Sequence, residues 1–179
     1  MGFPFFSVGH STRSISEFVE LLQQTGARVV IDVRAVPRSR TNPQYNADVL
    51  PGSLAEFEIG YEHIKELGGL RGHKADVPDT VNAFWKNQSF HNYADYALSE
   101  PFRLGMKRLR ELGSAAPCAI MCAEAVWWRC HRRIITDYLI ASGEQVFHIL
   151  GPNRIEQAHM TDAARPGPAE AVVYPGKSC

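Results

Sequence analysis

The sequence lacks the features that mark several common classes of protein. The chain has 179 residues with 19 basic and 19 acidic side chains, so no excess charge of one sign draws the whole protein to nucleic acid or to a membrane surface. It contains no apolar run of the roughly 18 residues that a membrane span needs. Neither a Gly-x-Gly-x-x-Gly pattern nor a P-loop is present, which argues against a standard dinucleotide enzyme and a P-loop nucleotidase.

Cysteine is also scarce, with four residues at positions 118, 122, 130 and 179. The first residues, Met1-Gly-Phe-Pro-Phe-Phe, carry no basic region before an apolar core, so we expect no secretory signal. A cytoplasmic location follows as an expectation. Thiols stay reduced in that compartment, and we therefore expect free cysteines.

The first part of the chain has the pattern of a βαβ unit. An apolar run over 5–9 predicts a strand, and the Ser14-Ile-Ser-Glu17 capping box begins a predicted helix that ends at Gly26. A β-branched run over 29–33 predicts a second strand. Strand, helix and strand in this order give a right-handed unit with parallel strands.

The rest of the chain continues the alternation of strands and helices. Further strands are predicted over 59–63, 118–123 and 146–150, and helices over 54–57, 90–98, 101–112 and 130–142, the third of them ending at Gly113. The predicted fold is a single α/β domain over residues 1–179, with a mostly parallel sheet flanked by helices in Rossmann-like layers. The segment 151–179, rich in Pro, Gly and Ala, is predicted to wrap the surface.

Polar side chains follow each predicted strand at the point where it ends. The affected positions are 10, 32, 34, 38–40, 122–124 and 130–132. The carboxyl ends of parallel strands share one edge of the sheet, so these positions are expected to converge in a ligand-binding crevice. Side-chain alternation places Asp32 and Arg34 on one side, where they are expected to pair, and places Cys122 beside Glu124.

Six short motifs together resemble one known family. They are Val8-Gly-His-Ser11, Asp32-Val-Arg34, Pro37-Arg-Ser-Arg40, Leu67-Gly-Gly69, Cys122-Ala-Glu124 and Cys130-His-Arg132. In this order they are similar to the signature blocks of domain of unknown function 488. The resemblance implies a compact α/β domain and supplies no reaction.

The residues favour an enzyme that acts on a phosphorylated or nucleotide-like anionic substrate by hydrolysis or group transfer. Glu124 follows an apolar strand, where partial burial would raise its pKa, so it is the candidate general acid or base; pairing with an arginine is the structural alternative. Cys130 is the candidate nucleophile, because a helix N-terminus and neighbouring arginines lower a thiol pKa. Asp32 and His10 would orient or assist. The candidate substrate-binding residues are Ser11, Arg34, Arg38, Ser39, Arg40, His131 and Arg132.

Two alternatives stay open at this point. If Trp127 and Trp128 are exposed beside the arginines, they would stack on bases, and the protein would be a nucleic-acid-binding module without catalysis. Alternatively, Cys122, Cys130 and His131 would form a metal or redox site, which predicts a bound metal or a Cys122–Cys130 disulfide. His148, inside an apolar strand, is expected to be a hydrogen-bonded core residue. The sequence leaves the cofactor and the oligomeric state open.

Overall fold

Five parallel strands form the centre of the fold, as seen in a computed structural model that describes residues 2–177. In chain order they are β1 (Phe5–Gly9), β2 (Val29–Asp32), β3 (Gly60–His63), β4 (Cys118–Cys122) and β5 (Val146–Gly151). A sixth strand, β6 (Arg154–Gln157), adds to the edge in antiparallel orientation. The order across the sheet is β3-β2-β4-β1-β5-β6, which confirms the predicted mostly parallel α/β sheet.

Within residues 2–177, five α-helices cover the sheet. They are α1 (Ile15–Thr25), α2 (Leu50–Ala55), α3 (Gln88–Tyr96), α4 (Glu100–Ala115) and α5 (Arg132–Ala141). The Ser14 capping box is present at the start of α1, and Gly26 ends that helix in the left-handed conformation, as the sequence predicts. No helix within residues 2–177 is long and apolar enough to cross a membrane.

Strand β4 divides the core into two layers because its side chains alternate between the two faces of the sheet. Cys118, Ile120 and Cys122 pack in the cluster that includes α3, α4 and α5. Ala119 and Met121 pack in the opposite cluster with α1 and α2. The predicted alternation is therefore confirmed, and it places the Cys122 thiol on the α5 side of the sheet.

Several predicted boundaries were wrong, for local reasons. Helix α4 continues past Gly113, because this glycine is a packing position: a Cβ there would lie 2.2 Å from the Phe5 ring. Helix α2 starts at Leu50 rather than 54, with Pro51 in its first turn, where a fixed φ and a missing N–H are tolerated. Helix α5 starts at Arg132, so Cys130 and His131 precede it.

The end of the chain contributes to both sheet and core. The prediction that 146–150 is the final strand was wrong, because a turn with Asn153 at positive φ leads into β6. A small antiparallel pair follows, β7 (Arg165–Pro166) and β8 (Val172–Val173). Val172 and Tyr174 are fully buried, so this segment seals the core on the α5 side instead of only wrapping the surface. Position 179, with the fourth cysteine, lies outside the described residues.

Gly9, at the end of β1, permits the closest backbone contact near the strand ends. A Cβ at this position would lie 1.8 Å from the carbonyl oxygen of Glu124, on the segment that follows β4. The next two residues extend this contact, since the amides of His10 and Ser11 donate to the carbonyls of Cys122 and Ala123. Only glycine fits here, so the segments leaving β1 and β4 are locked together.

We expect Gly9→Ala to destabilise the protein by about 3 kcal/mol or more, because the new methyl group meets backbone that has no room to withdraw. The matched control is Gly52→Ala in α2, where a Cβ meets no atom within 4 Å. There the removal of a helical glycine should raise the free energy of unfolding by up to about 1 kcal/mol. Urea unfolding of both variants measures the difference, and equal effects would contradict the assignment of Gly9.

Candidate functional site

A pocket of about 390 Å³ opens at the carboxyl ends of the central strands. It is lined by residues from the segments after β1, β2, β3 and β4, and by α3. The lining residues are His10, Arg34, Ala35, Val36, Arg38, Ser39, Gly69, Leu70, Ser89, Phe90, Tyr93, Cys122, Ala123, Glu124, Arg129, Cys130 and His131. Eight of the residues singled out from the sequence thus lie around one cavity, although they are far apart along the chain.

Two thiols lie side by side at the buried end of this pocket. The sulfur atoms of Cys122 and Cys130 are 2.7 Å apart, and both residues are buried free cysteines. The Cys122 Sγ also lies 3.7 Å from the carbonyl oxygen of Glu124, to which a protonated thiol donates. Either thiol can donate to the other, but Cys130 also accepts from the Arg132 amide and faces His131 Nδ1, so it is the sulfur better placed to carry negative charge.

Arg132, the first residue of α5, is the cation of this site. Its side chain is only 1% exposed, and its Nε donates to Cys122 Sγ at 3.0 Å and to Cys130 Sγ at 3.4 Å. The two terminal nitrogens donate to Ser7 Oγ and to the Glu124 carbonyl oxygen. Within residues 2–177 no carboxylate forms an ion pair with it. Sulfur is therefore the only group in this shell that can carry the compensating negative charge.

His131 completes the surroundings of Cys130. Its Nε2 donates to the carbonyl oxygen of Val33 at 2.7 Å, so its Nδ1 is the atom that faces the thiol, 3.6 Å from Cys130 Sγ. The ring has room because position 69 is glycine: a Cβ there would lie 3.1 Å from Nδ1. His131 Nδ1 and Cys130 Sγ thus have the arrangement of a Cys–His pair.

The pKa values of the two thiols are shifted in opposite directions. Burial opposes ionisation of Cys130, but the hydrogen bond from Cys122 and the charges of His131 and Arg132 outweigh it and hold the pKa of Cys130 well below its ordinary value. Burial and the hydrogen bond to Cys130 raise the pKa of Cys122 well above that value. The backbone N–H of Arg132, at the start of α5, also donates to Cys130 Sγ, so the helix N-terminus favours the same thiolate.

A second buried arginine forms another wall of the pocket. Arg34 binds both carboxylate oxygens of Asp32 and the carbonyl oxygen of Tyr45, which confirms the predicted pairing. Asp32 is fully buried, is held also by the Tyr61 hydroxyl, and does not line the pocket. It therefore positions Arg34 and is not placed to touch a substrate.

His10 lies beside this arginine and also lines the pocket. Its Nδ1 donates to the carbonyl oxygen of Ser11, and its Nε2 faces Arg34 Nη1 at 3.4 Å. The ring stacks on Tyr45 with centroids 4.1 Å apart. Burial lowers the pKa of His10, and the charge of Arg34 adds to that effect, so the ring is held neutral.

Glu124 does not have the buried setting that its predicted role requires. Its side chain is exposed at the mouth of the pocket, and one oxygen accepts from the Val126 amide at 3.4 Å. The structural alternative, pairing of its carboxylate with Arg34 or Arg132, is not formed either, because Arg132 binds the backbone carbonyl of Glu124 and Arg34 binds Asp32. The part of Glu124 that binds within the site is its backbone carbonyl, which accepts from Arg132, and not its carboxylate.

The other predicted binding residues divide into two groups. Arg38 and Ser39 line the pocket, with Arg38 exposed and the Ser39 hydroxyl accepting from the Asn42 amide. Ser11, Arg40 and Arg132 do not line it. Arg132 is sealed behind the thiols, and its predicted contact with substrate was wrong for that reason.

Trp127 is half-buried and Trp128 is exposed. Trp127 stacks on His148, with ring centroids 4.3 Å apart and the planes 4° from parallel. Trp128 is 46% exposed and is not a pocket residue. A nucleic-acid surface would therefore have a single free indole ring at this segment, and that alternative stays a prediction.

The metal alternative does not fit the donor atoms. Within residues 2–177 no group of three or more His, Cys, Asp or Glu side chains is placed to hold a metal ion. Two thiolates on one tetrahedral zinc lie about 3.8 Å apart, as follows from Zn–S distances of about 2.3 Å. The observed 2.7 Å between the sulfur atoms of Cys122 and Cys130 is too short for that geometry.

Sequence reasoning missed several residues that hold this site. Ser7, an inward-facing residue of β1, accepts from Arg132 and donates to His148 Nδ1 at 2.8 Å. Tyr93 of α3 packs against His131, with ring centroids 5.0 Å apart. A polar residue in the middle of the buried run Phe5–Gly9 was a signal for Ser7, whereas nothing in the helical pattern indicated Tyr93.

His148 gives the site a stability that depends on pH. It is buried as predicted, and burial together with the charge of Arg132 lowers its pKa from 6.5 to about 3. The unfolded chain therefore binds a proton that the folded protein rejects between these two pH values. The stability contributed by neutral His148 is present above about pH 6.5 and is lost as pH falls below it.

We expect wild-type protein to lose about 2 kcal/mol more free energy of unfolding than His148→Asn between about pH 7 and pH 5. The asparagine oxygen still accepts from Ser7 but does not titrate. Urea unfolding at both pH values measures the two differences. Parallel losses in the two proteins would show that His148 titrates normally in the folded state.

Comparison with known proteins identifies the family and no individual relative. Neither the curated proteins nor the solved structures contained a match to this chain. The model of the family described as "Domain of unknown function DUF488" matches residues 14–139, which is well over half of the chain. That region includes β2, β4, both thiols of the pocket, His131 and Arg132. The chain therefore belongs to the DUF488 family.

Proposed function

We propose that this protein is a thiol-dependent enzyme that acts on a small anionic substrate, with the Cys130 thiolate as the nucleophile. The observation that carries the proposal is Arg132. A guanidinium cannot release its proton inside a protein, so a fully buried arginine needs an anion beside it. Its available partners are the sulfurs of Cys122 and Cys130, and Cys130 is the one whose pKa is held low.

A thiolate held only for structure would not need to face a cavity. Cys130 and His131 both line the pocket, so a substrate atom can reach the sulfur from that side. Partial exposure in an electropositive setting distinguishes reactive cysteines from inert buried ones. Cys118 provides the contrast: it is buried, donates to a backbone carbonyl, and burial raises its pKa to about 11.

The charge of the pocket mouth supports an anionic substrate. Arg38 and Arg129 are exposed there, and Glu124 is the only acidic side chain of the lining. Guanidinium groups bind carboxylates and phosphates through paired hydrogen bonds. The phosphorylated or nucleotide-like substrate expected from the sequence is one anion of this kind, and it stays a prediction.

The roles follow from the contacts. The Cys130 sulfur attacks an electrophilic atom of the substrate, a bond from sulfur to that atom forms, and the leaving group departs with the electrons of the broken bond. His131 Nδ1 holds the proton taken from the thiol and supplies it to the leaving group. Arg132 stabilises the thiolate from behind, and the Val33 carbonyl fixes the tautomer of His131.

Alkylation tests the proposal directly. At about pH 6 an ordinary thiol is almost wholly protonated, so iodoacetamide should label Cys130 and leave Cys118 unlabelled in the folded protein. Peptide mass spectrometry locates the label, and Cys130→Ser is the control that should abolish it. Labelling of Cys130 no faster than a free thiol at this pH would remove the basis of the proposal.

The contribution of Arg132 can be measured separately. In Arg132→Met, the midpoint of the alkylation rate against pH should move up, with about a tenfold loss of rate near neutral pH for each unit of that movement. Arg132→Lys keeps a positive charge with fewer fixed donors and should lie between the two. An unchanged midpoint in a variant that is folded by circular dichroism would show that the arginine does not set the acidity of Cys130.

A further inference from the structure

We propose that Cys122 is a second reacting residue of this site, and that it resolves a mixed disulfide formed on Cys130, so that the protein exchanges thiols with small anionic disulfides. The inference rests on the proposed function, because it needs Cys130 to be the attacking thiolate. It names the class of substrate and assigns Cys122 a step of its own.

The Cys122 and Cys130 sulfurs are close enough for a disulfide bond to form between them. The two sulfur atoms are 2.7 Å apart, whereas a disulfide bond is about 2.05 Å long, so the reaction needs only a small approach. The two sulfurs belong to one chain and are held in contact, which gives intramolecular attack a large effective concentration. A phosphoryl or acyl group on Cys130 gains nothing from a neighbouring thiol, but a sulfur–sulfur bond is broken by one.

The ends of β4 and α5 hold the Cys122 and Cys130 thiols in place. Cys122 ends β4, and the backbone contact between Gly9 and Glu124 fixes the segment that follows it. Cys130 directly precedes His131 and the start of α5. The loop of residues 123–129 joins them, so the pair is anchored at both ends by regular structure. A resolving cysteine has to stay within reach of the nucleophile, and this frame keeps it there.

The positive charge of Arg132 serves both sulfurs. Arg132 Nε donates to both sulfurs, so it stabilises negative charge on Cys130 before the attack and on Cys122 during the second step. Cys122 keeps its proton while Cys130 is the thiolate. His131 Nδ1 lies 3.6 Å from Cys130 Sγ, and once it has protonated the first leaving group it is the base that receives the Cys122 proton.

The chemistry balances without a further reactant. The Cys130 thiolate attacks the substrate R–S–S–R′, a Cys130–S–R bond forms, and R′S⁻ leaves and takes up the proton that His131 Nδ1 held, so that His131 becomes neutral. The Cys122 thiol then loses its proton to His131 and attacks the Cys130 sulfur, the Cys122–Cys130 disulfide forms, and RS⁻ leaves. The substrate is reduced to two thiols, and the protein dithiol is oxidised by two electrons.

The substrate charge follows from the pocket mouth. Arg38 and Arg129 are exposed there, against the one carboxylate of Glu124. An anionic disulfide is attracted to this entrance and a cationic one is repelled. The suitable probes are 5,5′-dithiobis(2-nitrobenzoate), which is anionic and releases a coloured thiolate, and cystamine, which is a cationic disulfide.

The experiment uses reduced full-length protein in a Cys179→Ser background, so that only the described thiols are counted. With the anionic probe, wild type should release a first and then a second equivalent of coloured thiolate at the site and end as an internal Cys122–Cys130 disulfide. Cys122→Ser should release one equivalent and keep the mixed disulfide on Cys130. Cys118→Ser is the matched control and should behave as wild type. Intact and peptide masses distinguish these products.

Charge selection has its own measurement. The rate of each probe with Cys130 is divided by the rate of the same probe with free glutathione. The resulting ratio should be about tenfold larger for the anionic probe than for cystamine. Arg38→Gln combined with Arg129→Gln should abolish this preference. Equal relative rates in wild type would overturn the assignment of an anionic substrate.

The two proposals fail in different ways. If Cys130 is alkylated rapidly at low pH but wild type keeps the mixed disulfide as stably as Cys122→Ser does, Cys122 is not a resolving residue and the proposed function stands. If Cys130 reacts slowly with both iodoacetamide and the anionic disulfide, the proposed function itself is wrong.

Discussion

The site depends on one charge that has no carboxylate beside it. The Arg132 guanidinium begins α5 under the sheet, hidden from water, and is neutralised only through sulfur. Most of the surrounding structure serves this contact: Ser7 accepts from the arginine, His148 accepts from Ser7, and Trp127 covers His148. An uncompensated charge at this depth would cost several kcal/mol. The folded state is therefore stabilised when Cys130 is ionised, and folding and thiol acidity are linked through the same ion.

The two buried arginines of the strand ends have different partners, and the difference decides their roles. Arg34 is matched by Asp32 with fork-like geometry, so its charge is used within the protein, and it serves as a rigid wall next to His10. Arg132 has thiols in the place of that carboxylate. A carboxylate would be an inert counter-ion, whereas a thiolate is a nucleophile. The same architectural need, a buried cation at the end of a strand, is met once by a structural pair and once by a chemically reactive one.

The sequence was sufficient for the parallel sheet and for the identity of most pocket residues, because strand alternation and the shared edge of parallel strands are local and topological rules. It was insufficient for their roles. Glu124 was expected to be partly buried because it follows an apolar strand, yet its backbone lies against Gly9 of β1 and its carboxylate is in solvent. Arg132 was expected to bind substrate because a guanidinium group binds phosphates and carboxylates through paired hydrogen bonds, but it is buried against Ser7, which is 125 residues away in the chain. Long-range packing of this kind leaves no periodic pattern in a single sequence.

The contact between Gly9 and Glu124 also limits how a pocket of this design can be altered. The segment after β4 crosses the end of β1 with no space for a Cβ, so its length and path are fixed by the strand that it crosses. The opposite wall has a close contact of its own, because a Cβ at Gly68 after β3 would lie 2.7 Å from the Cα of Ala35 after β2. The side chains of Val36, Arg38 and Leu70 in that wall are less restrained, and Val36 and Leu70 are 59% and 88% exposed. Exchanges of these side chains would change which molecules enter while the sulfur chemistry behind them stays the same. A designer who wished to retarget this scaffold would leave one side of the cavity untouched and rebuild the other.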